Sequence, residues 1–517
     1  MDTLMLLGGG FASALTPENL LWAFVGVVLG TAVGVLPGLG SAMAVALLLP
    51  VTFKLDPTGA FIMFTAVYYG GLFGDSTTSI LMNTPGNSSA IATAIEGHKM
   101  AGRGKASQAL ATSAIGAFIG AVVSTAVVAF FSGVIIDIAL RFGPAEYFAL
   151  AVFAFVATSA VVAQSMVRGL IALTLGLGIA MVGIDAQSGA ARFTLGVPSL
   201  FEGIGIVTVT VGLLALGEVL HVASRIHRQG PDARPVKTGG TLWLGRGDLR
   251  RAIPAWLRGL SFGLPFGTIP AGGSEIPTFL AYGTERKLSQ LRARRGKRPD
   301  EFGKGAIEGV AAPEAAASAT AGTAMGALLG LGLPTSATAA IMLAAFQQYG
   351  MQPGPLLFER NADLVWALLA SLFIGSVMLL ILNLPFAPLW AKLLLIPKRY
   401  LYAGITGFAA LGVYASSYAI TDLWLLILLG LLGFMMRRYA IPLAPVLIAV
   451  ILGPLAESEL RRGLAIGQGD VGVMFTGPIT LGIYAVILLA VGIVVVARVR
   501  SSRRSADAEE SKTPSTV

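Results

Sequence analysis

Apolar segments separated by short polar stretches follow one another along the chain. The segments lie at about residues 19–36, 58–73, 108–140, 144–163, 166–184, 202–220, 306–331, 361–391, 400–418, 421–436, 439–455 and 475–497. A membrane-spanning helix needs about 20 predominantly apolar residues. Because some segments are shorter than this and others are longer, the pattern predicts an all-α polytopic membrane protein with about 10–14 membrane segments, some of them interrupted.

The composition narrows the class of protein. Hydrophobic residues make up 55% of the 517 residues and charged residues 12%, whereas a soluble domain carries about 25% charged residues. This excludes a soluble enzyme and a disordered protein. The net charge is +9, but Lys and Arg lie in loops between apolar segments, which is the positive-inside signature. We therefore expect a multi-pass protein of a bacterial inner membrane, with the lipid bilayer and not nucleic acid as its partner.

Two basic loops indicate that the membrane segment between them turns back. Residues 221–258 and 284–304 each hold eight Lys or Arg, so both loops are expected in the cytoplasm. Only residues 260–283 separate them, and one ordinary span would place the loops on opposite sides. The middle of this segment reads GLPFGTIPAGG (263–273), which breaks a helix. The sequence predicts a re-entrant hairpin here, or two short crossings.

A similar helix breaker occurs in the first half of the chain. GVLPGLGS (34–41) and GTIPAGGS (267–274) match at an offset of 233 residues, and a second breaker follows in each half, at 83–94 and 332–340. The order of breaker, span and breaker predicts two inverted structural repeats with broken or re-entrant helical hairpins. The predicted organisation is a first transmembrane repeat at 1–221, a basic cytoplasmic linker at 222–253, a second transmembrane repeat at 254–497 and a disordered polar tail at 498–517.

Paired interruptions at matching positions of two halves are typical of the binding site of a secondary transporter. The N-terminal ends of broken helices offer N–H groups to an anion, and freed carbonyl groups suit a cation. The alternative is that these glycines and prolines only allow close helix packing, or that the polar residues only cap helices. The candidate substrate-binding residues are Gly38, Gly40, Ser41, Asn83, Thr84, Pro85, Gly86, Asn87, Ser88, Pro270, Gly272, Gly273, Ser274, Pro334, Thr335 and Ser336.

A second set of polar residues lies within apolar surroundings, where a carboxylate must be paired, solvated or bound to a cation. The candidate cation-coupling residues are Asp75, Ser76, Thr77, Glu314, Ser318 and Thr338. Alternatively, Asp75 lies in a loop at the membrane surface, and Pro313 with Glu314 begins an ordinary helix.

Several enzymatic motifs are missing from the sequence. The chain contains no H-E-x-x-H and no G-x-x-x-x-G-K-[ST], and it has no cysteine. We therefore expect neither an enzyme nor an ATP-driven pump, and neither a metal site nor a cofactor other than a coupling cation. A stand-alone ion-coupled symporter or antiporter remains an alternative to a multi-subunit carrier, and a channel is a third.

Four segments carry more specific motifs: VLPGLGSAMAVALLLPVTF (35–53), YYGGLFGDSTTSILMNTPGNSSAIATAIEG (68–97), FGKGAIEGVAAPEAAASA (302–319) and AFQQYGMQPGPLLF (345–358). They resemble the large membrane subunit of the tripartite tricarboxylate transporters, the TctA family. This resemblance implies a periplasmic solute-binding protein that captures a small carboxylate, a small membrane subunit, and import driven by a Na⁺ or H⁺ gradient and not by ATP.

The second half departs from the pattern of that family. Ile269-Pro270-Ala271-Gly272-Gly273 stands where Ile-Pro-Gly-Gly-Gly is usual, Ala316-Ala317-Ser318-Ala319 where Ala-Asn-Asn-Ala is usual, and Pro334-Thr335-Ser336 where Pro-Gly-Ser is usual. The resemblance therefore leaves the identity of the carboxylate open.

Overall fold

The computed structural model describes residues 3–36, 39–52, 55–161, 165–185, 187–225, 236, 242–269, 273–296, 298–489 and 491–492. The helices are α1 Thr3–Ala14, α2 Pro17–Val35, α3 Ser41–Thr52, α4 Pro57–Met82, α5 Ile91–Met100, α6 Ala106–Ala139, α7 Pro144–Val161, α8 Met166–Ala180, α9 Ile206–Thr210, α10 Gly217–Ala223, α11 Arg246–Phe266, α12 Glu275–Arg294, α13 Glu308–Leu331, α14 Ala337–Gln348, α15 Pro355–Arg360, α16 Ala362–Leu393, α17 Lys398–Ser417, α18 Ile420–Arg438, α19 Ala444–Ile466 and α20 Pro478–Leu489.

Short segments join these helices. The 3₁₀ segments are Ser88–Ala90, Pro198–Leu200 and Val471–Phe475, and the π-helical segments are Ala101–Lys105 and Val211–Leu216. In the described residues, β1 Gly183–Ile184 and β2 Ala191–Arg192 form one antiparallel pair.

Several helices have the length and composition of membrane spans. The long apolar segments are Pro17–Val35, Ser88–Ile138, Ile206–Ala223, Ala362–Leu393 and Ile420–Arg438. Shorter apolar helices accompany them, including α1, α8 and α20. The prediction of an all-α polytopic membrane protein is confirmed, whereas the number of crossings and the predicted domain boundaries stay predictions.

The helix whose length differs most clearly from the sequence pattern is α4. The apolar stretch at 58–73 suggested a helix that ends before Asp75, but α4 continues to Met82. Residues from Gly59 to Leu81 are almost all buried in the bundle, Asp75 among them. The interpretation of Asp75 as a surface loop residue is therefore wrong. The polar residues of α4 around Asp75 can lie inside the bundle because neighbouring segments satisfy their hydrogen bonds, as described below.

Two helix pairs pack through rows of glycine. Gly26, Gly30 and Gly34 of α2 lie against the backbone of α4, and a Cβ at Gly30 would lie only 2.5 Å from the carbonyl oxygen of Val67. Without a side chain the two backbones approach closely, as small residues allow in membrane helices.

The second pair repeats this packing. Gly259 and Gly263 of α11, and Gly267 directly after it, lie against α13, and a Cβ at Gly263 would lie 2.5 Å from the carbonyl oxygen of Ala316. Each of these glycines follows its counterpart in α2 by 233 residues, the offset of the first breakers. The repeat therefore extends beyond the breakers into the helices that precede them.

The two pairs run in opposite directions. We call one end of the bundle the basic end, because it carries Arg103, Lys105 and Arg251. The start of α13 lies at the same end, since Glu308 pairs with Arg251 at 2.8 Å. The C-terminal end of α4 also lies at the basic end. The N–H of Val236, which belongs to the basic linker predicted at 222–253, donates to the carbonyl of Leu81 at 3.0 Å. Thus α4 runs towards the basic end.

By contrast, α13 runs away from the basic end. It lies alongside α6, with Gly116 facing Ala311 and Gly326 facing Val128. Residue numbers rise together in α6 and α13, so both leave the basic end in the same direction. These directions are the ones that an inverted repeat requires, and the inversion itself stays a prediction.

Candidate functional site

The described parts of the four breakers meet at the starts of four helical segments. These segments begin at Ser41 in α3, at Ser88 in the 3₁₀ turn that leads into α5, at Glu275 in α12 and at Ala337 in α14. Each start follows a Gly- or Pro-containing break in the chain. The four starts form a closed ring, which we call the breaker ring, through contacts between the two halves and within each half.

Two contacts of the ring join the first half to the second. The hydroxyl groups of Ser41 and Thr338 lie 3.1 Å apart, although the residues are 297 positions apart in sequence. On the other side, the Ser88–Ala90 turn packs against α12, with Ser88 beside Glu275. The first breaker of each half therefore contacts the second breaker of the other half.

The remaining two contacts close the ring within each half. A Cβ at Gly40 would collide with the side-chain oxygen of Asn87, so these two breakers touch. A Cβ at Gly273 would lie 3.3 Å from the Cβ of Ser336. Gly273 also has a φ of +90°, a conformation that favours glycine.

From the ring the helices diverge as two pairs. Tyr349, directly after α14, donates its hydroxyl to the carbonyl of Thr52 at the end of α3. Tyr282 of α12 donates to Glu96 of α5 at 3.1 Å. The α5–α12 pair leads to the basic end and the α3–α14 pair to the opposite end, so the ring lies between the two ends of the bundle.

The electrostatics of the ring favour an anion. The first N–H groups of a helix lack intrahelical partners, and the helix dipole places about half a positive charge at this end. In α14, the Ser336 hydroxyl takes one of these groups by accepting from Ala339 N–H at 3.1 Å. Groups that capping does not use are available to a bound carboxylate.

One internal carboxylate already uses such N–H groups. Asp75, buried in α4, accepts hydrogen bonds from the backbone N–H groups of Gly86 and Asn87, the second at 2.9 Å. The turn that the sequence predicts as a substrate cradle is thus occupied by the protein's own carboxylate.

A second buried carboxylate lies next to it. Glu314 of α13 accepts a hydrogen bond from Ser76 at 2.7 Å and one from Thr93 at 2.5 Å, and Ser113 of α6 lies nearby. Four helices, α4, α5, α6 and α13, therefore contribute to one polar cluster. The interpretation of Glu314 as part of an ordinary helix start is wrong, because α13 begins at Glu308.

No positive side chain offsets these two carboxylates within the described residues. Their hydrogen-bond partners are hydroxyl and N–H groups, and no ion pair of the described chain includes Asp75 or Glu314. A buried carboxylate without a basic partner must hold a proton or bind a cation, since an uncompensated buried charge is costly. Among the described residues there is no cluster of His, Cys, Asp and Glu that could hold a metal ion.

The other predicted site residues fall into several groups. Gly38, Pro270 and Gly272 lie outside the described residues. Asn83 and Thr84 are exposed, and Asn83 ends α4 in a left-handed conformation. Pro85 and Ser274 are half-buried beside the ring, and Pro334 is buried in it.

Three residues predicted for the cation cluster make no hydrogen bond with Asp75 or Glu314 in the described part of the chain. Thr338 contacts Ser41 in the breaker ring and not Glu314. Ser318 is buried where α13 packs against Gly120 of α6, one turn from Glu314. Thr77 is buried in α4 beside Ser76.

Sequence reasoning missed Glu96. Its carboxylate accepts N–H groups from Gly303 at 2.6 Å, Gly305 at 2.7 Å and Ala306 at 3.0 Å, and the hydroxyl of Tyr282. It thereby ties the loop before α13 to α5. His98 and Lys99 follow Glu96 closely and made this stretch look like a polar surface, although Glu96 lies in one of the four characteristic segments.

A cavity of about 610 Å³ opens at the end opposite the basic end. Its wall includes Gly332, the left-handed residue that ends α13, together with Arg360 and Arg462. The cavity therefore extends from the bundle surface to the first residue of the second breaker of the second half.

Comparison with known protein families identifies the family of this chain. The family model of the tripartite tricarboxylate transporter TctA family matches residues 20–448. The chain belongs to the TctA family. The resemblance found in the sequence is thus confirmed, and the chain is a large subunit of the TctA type. The match includes all four helix starts of the breaker ring.

Two relatives from Agrobacterium vitis are similar to this TctA-family chain. An uncharacterized 52.8 kDa protein in the TAR-I ttuC' 3' region is 41% identical over 510 residues, which cover 99% of this chain and 100% of the relative. An uncharacterized protein in the TAR-II ttuC' 3' region is 39% identical over 237 residues, covering 46% of this chain and 95% of the relative. No solved structure gives a significant match.

Proposed function

We propose that this chain is the permease subunit of a binding-protein-dependent secondary transporter that imports a small carboxylate across the bacterial inner membrane. The breaker ring is the observation that carries this proposal. Four helix starts converge between the two ends of the bundle, and neutral N–H and hydroxyl groups at such starts suit a carboxylate.

A cation gradient is the proposed source of energy. Asp75 and Glu314 lie beside the ring, and both are buried without a basic partner among the described residues. A cation that binds at these carboxylates would offset their charge when the anionic substrate occupies the ring. Since either Na⁺ or H⁺ can do this, the coupling ion is one of the two, and no other cofactor is proposed.

The proposed partners are a small membrane subunit and a periplasmic solute-binding protein. Membership of the TctA family supports a system of several subunits. We infer that the binding protein delivers its carboxylate at the end opposite the basic end, where the cavity beside Gly332 opens. The α3–α14 and α5–α12 pairs, which lead to opposite ends, then separate in turn as an inverted repeat permits.

Uptake into membrane vesicles tests the proposal. Vesicles that contain all three subunits are given radiolabelled citrate, succinate or benzoate under an imposed Na⁺ gradient, an imposed H⁺ gradient or none. We expect at least one acid to accumulate only under a gradient and only with the binding protein present. Uptake that needs no binding protein would support a stand-alone symporter, and equal rates without any gradient would contradict ion coupling.

A further inference from the structure

The second breakers of the two halves correspond residue by residue. Asn83 and Gly332, which are 249 positions apart, both end their helices in the left-handed conformation, with φ of 54° and 67°. The same offset pairs Pro85 with Pro334. The packing of α4 and α13 follows the same offset of 249 residues, since Val67 faces Gly30 and Ala316 faces the matched glycine Gly263.

This register exposes one difference between the halves. In the first half, Asp75 supplies a carboxylate to the N–H groups of Gly86 and Asn87. The position in α13 that corresponds to Asp75 is Ala324, whose methyl group accepts no hydrogen bond. The second breaker of the second half therefore lacks the internal carboxylate that its counterpart has.

The residue that corresponds to Gly86 differs as well. A Cβ at Gly86 would lie 3.0 Å from an oxygen of Asp75, so the internal carboxylate leaves little room for a side chain there. The corresponding residue is Thr335, which is 1% exposed. Its hydroxyl group has no hydrogen-bond partner in the described part of the chain. A buried hydroxyl without a partner is costly, so this group is available to donate to a ligand.

We propose that a carboxylate group of the substrate takes, in the second half, the place that the Asp75 side chain takes in the first. Its donors are the hydroxyl of Thr335 and the free N–H groups at the start of α14. This assignment rests on the proposed function, and it makes the breaker ring asymmetric. The first half holds an internal carboxylate, and the second half holds the external one.

The asymmetry fits the rest of the ring. The 12-residue helix α14 presents its positive end at this position. The cavity at the opposite end reaches Gly332, three residues before Thr335. A carboxylate that enters from that cavity therefore meets the second breaker of the second half before the occupied turn at Asp75.

Two variants of Thr335 test the role of its hydroxyl. Thr335→Val keeps the shape of the side chain and removes the hydroxyl, whereas Thr335→Ser keeps the hydroxyl. A hydrogen bond to a charged group is worth about tenfold or more in affinity. In vesicles with all three subunits, we expect Thr335→Val to raise KM for the acid that wild type accumulates among citrate, succinate and benzoate by about tenfold. Maximal rate changes less, and Thr335→Ser restores most of the affinity.

A second pair of variants fills the vacant position directly. Ala324→Asp supplies the second half with an internal carboxylate, and Ala324→Asn adds a side chain of nearly the same size without charge. We expect Ala324→Asp to lower uptake far more than Ala324→Asn when both are present in the membrane at equal amounts. If Ala324→Asp does not reach the membrane, the comparison of Thr335→Val with Thr335→Ser decides the matter alone.

The wild type separates failure of this inference from failure of the proposed function. If wild-type vesicles accumulate none of the three acids under either gradient, the proposed function fails. If wild type accumulates one of them and Thr335→Val shows an unchanged KM, the asymmetric site is wrong and the proposed function stands. A KM that rises equally in Thr335→Val and Thr335→Ser would also overturn the role of the hydroxyl.

Discussion

At the scale of single residues, three buried carboxylates are held by neutral donors. Asp75 and Glu314 accept hydrogen bonds from two groups each: two backbone N–H groups at Asp75 and two hydroxyl groups at Glu314. Glu96 accepts three backbone N–H groups and one hydroxyl. We infer that Glu96 fixes a loop, whereas Asp75 and Glu314 can exchange a proton or a cation.

Replacement of Glu314 tests this difference in roles. Glu314→Gln keeps the size of the side chain and a hydrogen-bond acceptor, but it removes the ionisable group. We expect gradient-driven uptake to fall by about tenfold or more, since hydrogen bonds to charged groups are worth about 1.5–3 kcal/mol. Initial rates of carboxylate uptake, normalised to the protein in the membrane, measure the effect. Glu202→Gln is the matched control, because Glu202 is exposed and far from the ring in sequence. Equal uptake by wild type and Glu314→Gln would exclude Glu314 from coupling.

Part of the site was predictable from single residues and part was not. Asp75 and Glu314 were identified because a carboxylate in apolar surroundings is costly. The contact between Ser41 and Thr338 was not, because it joins positions 297 residues apart and the sequence gives no distance between helices. Thr338 was therefore assigned to the cation cluster. The occupation of the Gly86 turn by Asp75 was also hidden, since the same residues serve equally as helix caps or as ligands.

At the scale of elements, glycine rows set the spacing of the helices that carry the breakers. Each row repeats every four residues, which places its members on one face of a helix. The α2 row faces α4 and the α11 row faces α13. Helix positions were predictable from hydrophobicity, but the partner of each glycine row was not. The offset of 233 residues was visible at the first breakers, and only the structure shows that it continues into the packed faces.

Substitution of these glycines tests the packing. Gly30→Ala and Gly263→Ala each place a Cβ 2.5 Å from a backbone oxygen, and overpacking of this kind costs about 1–3 kcal/mol. We expect a lower melting temperature of the purified protein in detergent for both variants. Gly375→Ala in α16 is the control, because a Cβ there meets no atom within 4 Å. A melting temperature that falls equally in all three variants would contradict the close packing at the two rows.

At the scale of the whole molecule, the two halves approach the breaker ring from opposite ends. The α4 helix runs towards the basic end and α13 runs away from it. Positive loops mark the cytoplasmic side of membrane proteins. We therefore expect the basic end in the cytoplasm and the cavity beside Gly332 on the outer side. In this orientation, the α5–α12 pair leads from the ring towards the cytoplasm and the α3–α14 pair towards the outer side.

Labelling of single cysteines tests the orientation, and the natural chain offers a clean background because it has no cysteine. Arg103→Cys and Arg294→Cys place a thiol on exposed residues near the basic end, and Glu359→Cys places one at the opposite end. We expect a membrane-impermeant maleimide to label Glu359→Cys in intact spheroplasts and the two others only in inverted vesicles. The reverse pattern would place the basic end outside, and labelling of Arg103→Cys and Arg294→Cys from different sides would contradict the shared end.

A reversible cross-link in the breaker ring tests the central claim that the two halves meet there to carry the substrate. Ser41→Cys and Thr338→Cys are introduced together, since their hydroxyl groups lie 3.1 Å apart and a disulfide needs such proximity. Carboxylate uptake by vesicles with all three subunits is measured after oxidation and again after reduction, with each single variant as a control. We predict that the disulfide forms, that uptake stops in the oxidised double variant and that reduction restores it. Failure of the disulfide to form, or unchanged uptake by fully cross-linked protein, would contradict the account.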